Sequence, residues 1–190
     1  AQTPEDKISI LNALYTETYL RDIVGRNKIR KVSELEDLLD ILSSNIGSLV
    51  NPEKLRKTFQ SVKHSKITTT TLTKYLTYLE DAYLLEMAQR YDIKGKAYIE
   101  TPQKYYFSDL GLRNARLNFR QLEETHSMEN IIYNELICRE FNVDVGVVEY
   151  FYRGDDGKSK RANLEIDFIA NKGSQKYYIQ SALTVSDEDK

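Results

Sequence analysis

The apolar residues of this chain change their period near residue 80, and that change dictates a fold that is helical first and β-rich afterwards. Leu72, Tyr75, Leu76 and Leu79 stand at i, i+3, i+4 and i+7, the stripe of a helix with one buried face. Thr70, Thr73, Lys74 and Thr77 lie on its other side. Upstream, Leu35, Leu38, Leu39, Leu42 and Ile46 repeat at helical spacing behind Ser33 and Glu36, a capping-box pair. Asn51 and Pro52 open a second helix as cap and first-turn residue, with Leu55, Phe59 and Val62 as its face. The striped helix opens in the threonine run 68–71. Beyond it, β-rich runs at 83–91 and up to the aromatic stretch 104–107 flank a glycine-containing turn at 92–96, which predicts a long hairpin. Three helices and then a hairpin is the order of a winged helix, whose third helix is the usual reader of DNA.

After Asp109 the pattern changes again. A short helix is expected over 109–116, a connector over 119–127 and a clear helix over 128–140. Strands follow at 143–153, 163–170 and 176–183, separated by turns at 154–157 and 171–173. One helix followed by three strands is an α/β unit, so a domain boundary falls near residue 120.

Charge narrows the partner classes. Lys and Arg total 27 against 29 Asp and Glu, a net charge of −2, so any affinity for nucleic acid must come from a local patch. Residues 54–79 supply one, with six Lys or Arg and no acid, and the hairpin turn adds Lys94 and Lys96. Lys63, Lys66, Lys74, Lys94 and Lys96 are the expected phosphate contacts. The competing reading is a solvated helix pair in a protein-binding module. Cys138 is the single cysteine, which excludes an internal disulfide, suits a reducing cytosol and reads as a small buried hydrophobe. His64 and His126 have no partner at ligand spacing and read as surface residues. No apolar run approaches the ~20 residues of a membrane helix and no signal-peptide core is present, so a cytoplasmic protein is expected. No GxxxxGK-type loop occurs and Gly25 and Gly47 are isolated, so the chain is expected to bind no ATP of its own.

The sharpest chemical pattern lies in the second half. Strand alternation puts Glu165 and Asp167 on one face and Leu164, Ile166 and Phe168 on the other. Gln180 and Ala182 share a face of the next strand. On the preceding helix, at ~100° per residue, Glu135 falls among Met128, Ile131 and Ile132, with Glu129 at the edge of that stripe. A carboxylate on a buried face is costly unless paired or bound to metal. The alternative for Glu135 is a salt bridge to Arg139, and for Glu165 and Asp167 a solvated strand face.

This layout resembles the PD-(D/E)xK nuclease superfamily, in which carboxylates hold Mg²⁺, the metal activates water and a lysine assists. The resemblance matches Glu129 to the helix glutamate and Asp167 to the central aspartate, making these two the metal ligands. Gln180 stands where a second acidic ligand belongs and Ala182 where the lysine belongs, with Glu165 and Glu135 as weaker candidates. A neutral amide and an alanine make the motif degenerate, so an inactive site with at most weak Mg²⁺ binding is expected.

Four segments extend the likeness over nearly the whole chain: Tyr-Leu-Arg-Asp-Ile at 19–23, the run 75–85, the run 104–114 and Glu-Asn-Ile-Ile-Tyr-Asn-Glu-Leu at 129–136. Together they are similar to the domain of unknown function that follows the AAA+ module in predicted bacterial ATPases. That resemblance implies an α+β fold in three parts: a linker helix from the ATPase module at 1–32, a three-helix winged-helix segment at 33–119 and a restriction-endonuclease-like α/β domain at 120–190, truncated at its C-terminus. The chain then reads as a segment of a longer protein, with ATP bound in the upstream module. Its expected role is a non-catalytic accessory region associated with DNA and with its own ATPase module. The alternatives are an active Mg²⁺-dependent DNA nuclease, with Lys172 or Lys176 as a migrated lysine, and a purely protein-binding or oligomerisation module. No membrane partner is expected.

Overall fold

The computed structural model describes residues 3–120, 123–154 and 157–184, the side chain of Thr18 excepted. Parts of the expected connector (121–122) and of the expected turn at 154–157 lie outside the described residues, as does the chain end 186–190.

Local chemistry explains most helix starts. In α1 (Pro4–Ala13) the Thr3 hydroxyl accepts from the Asp6 amide while Asp6 accepts from the Thr3 amide, a closed capping box. A π-helical stretch (Leu14–Leu20) leads into α2 (Arg21–Arg26). The Asn51 side chain caps α4 (Pro52–Val62), accepting from the amides of Glu53 and Lys54. Thr68 caps α5 (Thr69–Asp81) by accepting from the Thr71 amide. The expected capping box of α3 (Val32–Ser44) does not form, because the helix starts at Val32 and Ser33 is already inside it. Glu34 takes over the local polar chemistry, accepting from Lys31 Nζ and the Ser65 hydroxyl. Asp109 caps the short α6 (Leu110–Arg116). The long helix α7 (Glu124–Cys138) begins a turn earlier than its sequence pattern indicates.

The strands are β1 (Leu49–Val50), β2 (Leu85–Asp92), β3 (Ala97–Phe107), β4 (Asn142–Arg153), β5 (Ser159–Lys172) and β6 (Gln175–Ile179). They form one six-stranded sheet in the order β1-β3-β2-β4-β5-β6. All pairs are antiparallel except β2 with β4, which run parallel from Arg90↔Val145 to Asp92↔Val147. The sheet therefore crosses the boundary expected near residue 120. The fold is mixed α and β.

Successive β3 residues serve two cores. Phe107 joins the helical core, where Leu35, Leu38, Leu39, Phe59, Leu72, Leu76 and Leu79 are buried. Tyr106 faces the other way and stacks on Tyr133 of α7 at 4.3 Å, beside Phe168 and Val145. The stripe of α5 is buried as its spacing predicts, and Lys74 is exposed. Among the described residues no helix is long and apolar enough to cross a membrane.

Candidate functional site

The site is built by β3, α7 and β5, and its centre is a lysine that the sequence pattern does not single out. Lys104 and Tyr106 alternate onto the α7 side of β3. Lys104 Nζ donates to Glu129 Oε1 at 2.8 Å and reaches Glu165 Oε1 at 2.6 Å. The Tyr106 hydroxyl donates to the same Glu129 oxygen at 2.6 Å. Lys104 and Glu129 are 4% and 6% exposed, so this is a buried ion pair rather than a surface one. Burial pushes the Lys104 ammonium toward losing its proton. The hydrogen bonds and charges of Glu129 and Glu165 outweigh that and hold its pKa above the ordinary lysine value. Burial and the neighbouring Glu129 charge raise the Tyr106 pKa strongly, so the ring is a neutral donor.

Asp167 is buried on β5, and its Oδ2 accepts from both the amide and the hydroxyl of Ser181, at 2.7 and 2.6 Å. That double contact accompanies an early end to the last strand. β6 stops at Ile179 instead of running to 183, and Gln180 and Ala182 are exposed beyond it. Strict alternation on β5 also fails. Asp144↔Ile169 is followed by Gly146↔Ile166, so β5 holds an extra residue there. The bulge turns Phe168 toward Tyr106 and Tyr133, while Leu164 is exposed. The structure thus gathers Glu129, Glu165 and Lys104, holds Asp167 nearby through Ser181, and leaves Gln180 outside. Among the described residues, no three His, Cys, Asp or Glu side chains converge to hold a metal ion.

The face of α7 differs from its apolar stripe. Glu129, Asn130 and Tyr133 are buried, whereas Ile131 is 57% exposed. The reason is Asn130, which accepts from the Phe107 amide and donates to the Phe107 carbonyl, both at 2.8 Å. That amide clamp satisfies the end of β3 and rotates the helix so that Glu129 meets Lys104. Glu135 consequently points to solvent and pairs with Arg139. Cys138 is exposed, not buried. His126 is half-buried, and its Nδ1 is buried with no hydrogen-bond partner among the described residues. Gly47, at φ +73°, lies so near that a Cβ there would sit 2.8 Å from that nitrogen. Lys172 is committed elsewhere, donating to the Arg139 carbonyl.

The basic candidates fall into two groups. Lys66 and Lys74 are exposed on the helical side. Lys63 pairs with Asp37 at 2.7 Å, and that hydrogen bond raises its pKa. Arg56 is likewise held by Glu53. Acids outside the 54–79 window therefore neutralise part of it. At the hairpin turn, Lys94 Nζ donates to the Glu149 carbonyl and Lys96 is exposed.

An uncharacterized protein of Haemophilus influenzae is 34% identical over 179 residues, covering 94% of this chain and 41% of its own length. Uncharacterized protein MJ1544 of Methanocaldococcus jannaschii is 28% identical over 184 residues, covering 97% of this chain and 38% of its own. The chain thus spans about two-fifths of the length of the curated relatives it matches. No solved structure matches it. Residues 1–123, from α1 to the start of α7, match the Domain of unknown function (DUF8612), and the chain belongs to that family.

Proposed function

We propose that this chain is a non-catalytic, nucleic-acid-associated accessory region of a longer AAA+-type ATPase, with a nuclease-like site closed from within. The observation that carries the reading is the Lys104 ammonium lodged between Glu129 and Glu165. A hard divalent cation needs clustered, uncommitted carboxylate oxygens and gives up its own waters reluctantly. Here one side-chain cation already occupies an oxygen of two of the three carboxylates, and Ser181 takes an oxygen of the third. The Mg²⁺ that the nuclease resemblance implies does not fit this donor set as arranged.

The winged-helix assignment is supported by the run α3, β1, α4, α5, β2, β3, with β1 paired to the hairpin. The exposed Thr70, Thr73, Lys74 and Thr77 on α5 offer the polar face such a helix presents to DNA. The four ordered motifs support an ATPase parent, and the greater length of the relatives supports a longer parent chain.

A second reading rests on the same lysine: an active nuclease in which Lys104 replaces the lysine missing at Ala182. The two separate on linear, supercoiled and branched DNA with Mg²⁺ or Mn²⁺, comparing the parent protein with Asp167→Ala and Lys104→Ala. The closed-site reading expects no cleavage that depends on Asp167. Cleavage lost in both variants establishes the nuclease instead. Duplex binding should weaken in Lys66→Ala/Lys74→Ala, its log–log salt slope falling by about 0.9 per lost phosphate contact. Absence of binding by the parent overturns the nucleic-acid assignment.

A further inference from the structure

We infer that the outer part of the β4–β5 hairpin is a stacking platform for single-stranded nucleic acid, separate from the α5 face. β2 pairs with β4 only as far as Val147, and β6 pairs with β5 only from Phe168 to Lys172. Between those limits and the turn, Val148–Arg153 and Leu164–Ser159 form a two-stranded ribbon with no third strand on either side among the described residues. Such ribbons are marginal in water and usually hide their apolar residues against something. This one displays them. Tyr150, Phe151 and Tyr152 are 36%, 68% and 45% exposed.

Register places a cation beside the rings on each face. Tyr152 stands opposite Lys160, and Phe151 stands opposite Arg161, whose guanidinium pairs with the Glu149 carboxylate at 2.5 Å. On one face the Tyr150 and Tyr152 rings are 5.9 Å apart and tilted by 35°. Stacked bases in a duplex rise by only ~3.4 Å, so consecutive bases can each meet a ring only when the strand is unpaired and stretched. Sheet-borne aromatics of recognition domains take up bases in the same manner. Beside the ribbon, a shallow hollow of about 560 Å³ is lined by Asp92, Lys94, Gly95, Glu149, Tyr150 and Phe151. Residues 92–96 and 149–161 together hold six Lys or Arg against four Asp or Glu, the acids at 155 and 156 included. This surplus lies in a chain whose net charge is −2, so positive charge and exposed rings coincide at one end of the sheet. That surplus around exposed rings favours a polyanionic strand as the occupant over a protein surface.

The test uses the full chain and a dT20 oligonucleotide, read by fluorescence anisotropy. Tyr150→Ala/Tyr152→Ala and Phe151→Ala should each weaken dT20 binding by roughly 5-fold to 100-fold. Lys66→Ala/Lys74→Ala should leave dT20 binding intact while weakening duplex binding, so the two surfaces fail independently. The chain has no tryptophan, so Tyr152→Trp installs a unique reporter. Its emission should be quenched by dT20 and not by a dT20·dA20 duplex. Parent-like dT20 affinity in the ring variants overturns the inference, as does an unquenched indole. Absent dT20 binding by the parent, with ring variants that change its oligomeric state, assigns the patch to a protein interface.

Discussion

Removing the Lys104 cation tests whether the cluster under α7 is one closed electrostatic unit. Lys104→Met keeps the stem that lies along the sheet and deletes the charge. It leaves Glu129, whose side chain is 8% exposed, as a buried carboxylate with, among the described residues, only the Tyr106 hydroxyl for a partner. Breaking one side of a buried pair costs about 3–5 kcal/mol, since the remaining ion stays desolvated. Glu165 is 32% exposed and regains water, so its share is small. The expected loss is about 3–4 kcal/mol. In a chain of this size that lowers Tm by roughly 6–16 °C. Glu129→Gln alone should cost about 1–2 kcal/mol, because Lys104 keeps Glu165. Combined with Lys104→Met it should restore about 1–3 kcal/mol relative to the sum of the single changes. Urea unfolding with an unchanged m-value measures each difference. A Lys104→Met loss below about 1 kcal/mol, or strict additivity, would refute the idea of a buried, mutually dependent cluster.

Leu76 is 2% exposed in the helical core, so Leu76→Ala should cost about 2–5 kcal/mol by urea unfolding. Hydrogen bonds from Arg56 and Thr69 lower the Glu53 pKa from 4.5 to about 2 and tie the start of α4 to that of α5. The depressed value means the tie contributes above pH 4.5 and is lost as pH falls toward 2. The gap in urea midpoint between the parent and Glu53→Gln should therefore close across that interval; a constant gap counts against it.

The helical half was legible because its signals are local. Caps at Asn51 and Thr68 and the stripe on α5 are written within a few residues of each other, and their hydrogen bonds follow that spacing. The site was legible only in part. Glu129, Glu165 and Asp167 stand out as acids in apolar settings, and Tyr106 and Phe107 mark β3 as a strand. Nothing near Lys104 in sequence announces its partners, which come from α7 and β5. The orientation of α7 was hidden for the same reason. An apolar projection favours Met128, Ile131 and Ile132, whereas the helix is turned by Asn130 closing on the backbone of a strand formed much earlier in the chain. The bulge that frees Phe168 from strict alternation is likewise a property of the β4–β5 register rather than of β5 alone.

The parallel pairing of β2 with β4 gives the segment after residue 123 a protective role towards the family region. A polypeptide ending there would retain β2 and β3 but would uncover the β2 edge from Arg90 to Asp92 and strip Tyr106 of Tyr133 and Phe168. Unpaired edges of this kind recruit strands from neighbouring molecules. In the intact protein β4 fills that edge, while α7 and β5 close over the β3 residues that truncation would lay bare.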